Sequence, residues 1–210
     1  MIYVPEYLFH KTQSYPTTFI PTQYNLLRFQ LTTLITKMKL STMLLPPIAL
    51  ALTSTASAAI QGKLINNCKF PVWAKTTRGG GYDSHEMARV NPGGVYHAKV
   101  QTINNAPGVA LKVQPSPDPA WRNVYQVEMA QSDTADGGGG WAWYDLSTVD
   151  AAPFRDRWRR LEVAGGRPGC RVLECPPGRA DCEWPVPRRG EMGDCGAGPD
   201  AEVVFTLCRK

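Results

Sequence analysis

Val124 to Ala130, V-Y-Q-V-E-M-A, and Trp141 to Leu146, W-A-W-Y-D-L, are the stretches whose reading decides the fold. Both are short, apolar runs rich in aromatic and β-branched residues, as strands are. Asp136 and the run Gly137 to Gly140 link them. Glycine accepts positive φ at no steric cost, so the link suits a hairpin end. A phosphate-binding loop is excluded, because no Gly-Lys-Ser/Thr follows and no helical pattern comes next.

Working outward, the same texture recurs. Strands are expected at Ala59 to Asn66, Pro71 to Thr76, Gly94 to Val100, Val109 to Val113 and Glu202 to Leu207. Gly and Pro punctuate the intervals, and no segment holds an apolar period of 3.6 for even three turns. Many short strands joined by turns form an all-β domain, and residues 59–210 are of single-domain size.

Upstream, residues 38–58 read as a cleavable signal peptide. Met38-Lys39 opens a positive segment, Met43 to Leu52 is apolar, and Ala56-Ser57-Ala58 is a small-x-small cleavage site. The apolar run is only about ten residues, against the roughly 20 that a spanning helix needs, so no membrane anchor is expected. Residues 1–37 are expected to be a gene-model extension or a disordered leader. A mitochondrial presequence is the rival, but Lys11, Arg28 and Lys37 are the only strong bases there.

The formal charge of +5 overstates the basicity of the domain. Beyond residue 58 stand 19 Lys/Arg against 17 Asp/Glu, which is no nucleic-acid footprint. The one basic cluster, Arg155 to Arg160, is interrupted by Asp156 and reads as a solvated loop or edge strand.

All six cysteines, Cys68, Cys170, Cys175, Cys182, Cys195 and Cys208, follow the cleavage site. An even count in an exported chain implies disulfides. Zinc ligation would want Cys-x-x-Cys or Cys/His spacing, and neither occurs, so no metal or cofactor is expected. Four of the six lie in residues 165–200, a Gly-, Pro- and Arg-rich excursion too poor in apolar side chains to order itself. Covalent loops are expected to order it instead. No Asn-x-Ser/Thr sequon follows residue 58, and the C-terminus has no hydrophobic tail.

Several segments together resemble the thaumatin-like superfamily. They are I-N-N-C-K-F-P-V-W at Ile65 to Trp73, Y-Q-V-E-M at Tyr125 to Met129, Y-D-L-S-T-V-D-A-A-P-F at Tyr144 to Phe154, and the order of the later cysteines. Length and cysteine count are most similar to the fungal branch of yeast-phase-specific or antigenic secreted proteins. The resemblance implies a thaumatin-like β-sandwich with a short disulfide-rich loop region. It implies a first-to-last bridge, Cys68–Cys208, and suggests Cys182–Cys195, leaving Cys170–Cys175, although the four middle cysteines allow three pairings and sequence does not choose among them. Six cysteines are fewer than plant relatives typically carry, and the second, cysteine-rich domain is shortened to 165–200, which weakens the transfer of plant antifungal activity.

The resemblance also implies an acidic groove, with Glu128 in the place of a strand glutamate and Asp145 and Asp150 in the places of two aspartates. The groove's arginine and its last aspartate find no match, Arg89 being the only candidate for the former. Grouped carboxylates accept hydrogen bonds from sugar hydroxyls and attract cations. The plain alternatives are turn caps for Asp145 and Asp150 and a solvent-facing strand position for Glu128. Trp141 and Trp143 share one strand face, which reads first as sandwich core and second as a sugar-stacking platform.

The expected function is that of a secreted, monomeric, non-enzymatic protein, extracellular or associated with the cell wall. It would bind β-glucan, another cell-wall glycan or an extracellular partner through the acidic groove. The first alternative is a weak β-glucan hydrolase using Glu128 with Asp145 or Asp150, for which two carboxyls about 5–10 Å apart are needed. The second is a structural or antigenic surface protein with no small ligand. Nucleophilic catalysis has no support: Ser84 and His85 are adjacent and would point to opposite faces of a strand, and no Gly-x-Ser-x-Gly elbow occurs.

Overall fold

The structure, a computed structural model, describes residues 59–133, 140–184, 192–198 and 200–209. The expected leader (38–58), the stretch before it and residues 134–139 of the glycine link lie outside the described residues.

Alternation along β1 (Gln61–Asn66) puts Gly62, Leu64 and Asn66 inward, the period of a strand with one face on a core. β2 (Val72–Arg78) follows, then the short β3 (Tyr82–Asp83), β4 (Ala88–Val90) and β5 (Val95–His97). β6 (Val109–Gln114), β7 (Tyr125–Asp133) and β8 (Gly140–Ser147) are longer. β9 (Arg159–Ala164), β10 (Leu173–Cys175), β11 (Gly193–Gly196) and β12 (Glu202–Leu207) complete the domain.

Two sheets form, one in the order β10-β9-β12-β1-β5 and the other β11-β8-β7-β6-β2-β3, with β4 also on β2. They share one core in which Leu64, Val203, Phe205 and Leu207 of the first sheet join Val72, Leu111, Val113, Tyr125, Val127 and Leu146 of the second. The rings of Tyr125 and Phe205 stack across it at 5.5 Å. The all-β sandwich is as expected. Among the described residues there is no helix.

The first and last strands, β1 and β12, run parallel and side by side, from Gln61↔Glu202 to Asn66↔Leu207. Cys68 and Cys208 therefore leave the sheet at the same end, and they form a disulfide spanning 140 residues. The other two bridges differ from expectation: they are Cys170–Cys195 and Cys175–Cys182, not Cys182–Cys195 and Cys170–Cys175. The reason is a strand. Residues 173–175 pair with β9 as β10. Extended backbone advances about 3.3 Å per residue, which carries Cys175 away from Cys170 and beyond disulfide reach. Arg167, by contrast, donates its N–H to the Gly196 carbonyl at 2.9 Å, so the chain leading to Cys170 runs beside β11 and Cys195. The excursion thus supplies an edge strand to each sheet, tied by one bridge.

Arg155 and Arg157 are exposed, as the solvated reading requires, but Arg159 is fully buried on β9, an interior strand between β10 and β12. Its Nε meets Glu183 Oε1. Its terminal nitrogens donate to the carbonyls of Phe154 and Arg179 at 2.8 Å each, and to those of Arg155 and Arg157. The Tyr125 hydroxyl donates to the same Glu183 oxygen at 2.6 Å. A buried charge persists only when paired and hydrogen-bonded. This guanidinium pins two loops and the Cys182 turn to β9 of the five-stranded sheet, and Glu183 links them on to Tyr125 of the seven-stranded one.

Candidate functional site

Antiparallel register arranges the outer face of the seven-stranded sheet, the face turned away from the core, in rows. Lys75, Lys112, Gln126 and Ser147 lie opposite one another across β2, β6, β7 and β8. The next row is Thr77, Ala110, Glu128 and Asp145, and the next holds Ala130, Trp143 and Asp194. Ser132, Trp141 and Gly196 form the last.

Glu128 and Asp145 are therefore direct cross-strand neighbours, a position at which Cβ atoms lie about 5 Å apart. They are only 6% and 3% exposed, so Glu128 does not face solvent, and Asp145 sits within a strand rather than capping a turn. Glu128 Oε2 and Asp145 Oδ1 are both buried without a hydrogen-bond partner. Asp150 stands beyond the end of β8 and accepts from Lys112 Nζ at 3.0 Å. Sequence reasoning named all three carboxyls. It missed Lys112, Ser147 and Gln126, which are unremarkable as letters and are recruited by pairing alone.

Burial pushes the Glu128 carboxyl up to about 7, against the pull of Lys112 and a hydrogen bond from Ser147, with Asp150 adding to the rise. Burial, and then the negative charge of Glu128, hold Asp145 well above the ordinary carboxylate range. Two like charges this close do not both ionise at neutral pH. The pair therefore offers protonated carboxyl groups, which donate as well as accept. With Asp150 paired to Lys112, the site is far less negative than three acidic letters suggest.

Trp141 and Trp143 are half-buried on this outer face, so the reading of them as sandwich core is overturned. The alternation of β8 sends Ala142, Tyr144 and Leu146 inward and leaves the indoles outside. Trp143 Nε1 donates to Ser132 Oγ at 3.1 Å, and Trp141 Nε1 approaches Asp194 Oδ2 at 3.4 Å. Each indole is thereby held by its edge. At the other side of the sheet, Lys75 Nζ lies 4.7 Å from the Trp121 ring centroid and 2.7 Å from Asp83 Oδ2. Arg89 lies on β4 opposite Trp73, and β4 pairs only with β2, two strands from Glu128.

A family model described as Blastomyces yeast-phase-specific protein matches residues 49–209. Among solved structures, the chain is similar to the protein elicitor MoHrip2 from Magnaporthe oryzae. The identity is 21% and the TM-score 0.54, over 72% of this chain and 100% of that one. It is also similar to the thaumatin-like xylanase inhibitor TLXI, at 12% identity and a TM-score of 0.45, over 70% of this chain and 99% of that one. The likeness to the elicitor is one of fold. No curated protein matches the chain.

Proposed function

The chain belongs to the family of the Blastomyces yeast-phase-specific protein, and from that premise we propose that it is an exported, non-enzymatic protein that binds a neutral cell-wall glycan of the β-glucan class on the outer face of its seven-stranded sheet. One observation carries the reading: the register sets Trp143 one row from the Glu128–Asp145 pair, both on the face turned from the core. Indole rings offer flat apolar surface to a pyranose. Beneath the same face lie the buried carboxyls of Glu128 and Asp145 with unmet oxygens, which would suit hydroxyls, able both to donate and to accept, once a bound sugar opens the row.

The raised pKa values favour a neutral sugar over a cationic partner, because the attraction for a cation shrinks as the pair keeps its protons. Hydrolysis is less well supported. A glycosidase sets its two carboxyls on either side of the scissile bond, whereas Glu128 and Asp145 project side by side from neighbouring strands.

Export fits the sulfur chemistry. All six cysteines are bridged, as in an oxidising compartment. Among the described residues no helix is long and apolar enough to cross a membrane.

Retention on insoluble β-glucan tests the proposal. The protein should be pulled down, and Trp143→Ala should lower retention without unfolding it. Equal retention of wild type and variant, or none at all, defeats the reading. Reducing-sugar release from β-glucans should be absent, and release that vanishes in Glu128→Gln would establish the hydrolase instead. N-terminal sequencing of the exported protein should begin at Ala59.

A further inference from the structure

A groove lies away from Trp141 and Trp143. The start of β1, the end of β2, β3 and the 98–103 loop enclose an open groove of about 490 Å³. Arg78, Tyr82, Lys99, Gln101 and Ile103 are among its lining residues, and no lining residue is acidic.

Many cations elsewhere in the described residues are ion-paired. Lys63, Lys75, Lys112, Arg159, Arg160 and Arg209 each have a carboxylate partner. Among the described residues, Arg78 and Lys99 have no carboxylate partner, as Lys69, Arg89 and Arg155 have none. Arg78 Nη2 donates to the Gln101 carbonyl, which holds the guanidinium against the loop, while its Nε is buried and unpartnered. A planar guanidinium anchored on one edge leaves further N–H directions for a carboxylate.

Apolar surface completes the groove. Tyr82 pairs with Arg78 in the β2–β3 ladder and is 45% exposed, and Ile103 is 50% exposed. An exposed aromatic ring beside two unpaired cations suits a sugar that carries its own negative charge: the ring stacks on the pyranose, and the cations take the carboxylate. Ala59 also lines the groove. Removal of the leader after Ala58 would place a new α-ammonium there and strengthen the positive field.

We propose that this groove is a second binding site, and that its ligand is an anionic sugar, a uronic acid residue of an extracellular polysaccharide, held through its carboxylate by Arg78 and Lys99. This goes beyond the glucan reading and does not rest on it.

Calorimetric titration at low salt with an α-1,4-galacturonic acid oligomer, its fully methyl-esterified form and inorganic phosphate tests the assignment. The acidic oligomer should bind and the ester should not. Arg78→Gln and Lys99→Gln should each weaken binding about tenfold or more, the effect of one lost charge-assisted hydrogen bond. Unchanged affinity in both variants, or equal affinity for the ester, overturns the proposal. Phosphate binding as tightly as the oligomer overturns the sugar assignment. Retention on β-glucan should be the same in both variants as in wild type, so the two sites succeed or fail separately.

Discussion

Replacing Glu128 by glutamine removes a charge that the fold holds only at a cost, and the cost can be worked out. The carboxyl rises from an ordinary 4.5 to about 7 on folding, with burial the largest cause. At about 1.4 kcal/mol per pH unit this corresponds to about 3 kcal/mol. The folded protein binds the proton more tightly than the unfolded chain does. The contribution is thus fully present below pH 4.5, declines between pH 4.5 and about 7, and is lost above. Glutamine keeps the shape and cannot ionise. Wild type and Glu128→Gln should therefore have similar stability at pH 4. At pH 8 the variant should be the more stable by up to about 3 kcal/mol, less whatever attraction to Lys112 is forfeited. Urea unfolding at pH 4, 6 and 8 with disulfides intact reads this as a midpoint difference that widens with pH at constant m. A difference independent of pH, or a variant that loses ground at pH 8, would refute the reasoning. Asp145 still titrates in the variant, so its own loss of stability at higher pH should persist.

Four further outcomes are expected. Arg159→Met strands the Glu183 carboxylate in a fully buried site and should cost about 3–5 kcal/mol, much of which Arg159→Met with Glu183→Met should restore; equal instability of single and double variants would contradict this, by denaturant titration. Gly193→Ala drives a Cβ into the Tyr144 ring and should cost about 1–3 kcal/mol by displacing it; a neutral thermal shift would show that the ring is not seated there. Peptide mapping without reduction should recover Cys68–Cys208, Cys170–Cys195 and Cys175–Cys182, and replacing Cys68 and Cys208 by serine should cost about 4–5 kcal/mol, the loop-closure value for a loop of this length.

What was legible follows from which residues speak for themselves. β1, β2, β6, β7, β8 and β12 were expected within a few residues of their observed ends, because apolar and β-branched side chains fill them. β9 was not, because R-R-L-E-V-A begins with two arginines, and a charged letter reads as surface until its partner is known. Arg159 is buried only because Glu183 is brought to it from 24 residues away. β3, β4, β10 and β11 are two to four residues long and owe their extended form to a neighbour, not to their own composition. The three carboxyls were legible through resemblance. Their setting was not, since only the β7–β8 register shows that Glu128 meets Asp145 while Lys112 reaches Asp150.

The sequence by itself determined an all-β domain, cysteines suited to bridging, and a first-to-last pairing implied by family resemblance. Those features depend on local propensity, composition and motif order, which short windows carry. Tertiary structure alone decided the partners of the four middle cysteines, the burial of Arg159, the outward aim of Trp141 and Trp143, and the raised pKa values of Glu128 and Asp145. Each of these depends on which distant backbone lies alongside, and hydrogen-bond register, desolvation and like-charge repulsion come into being only when two strands meet.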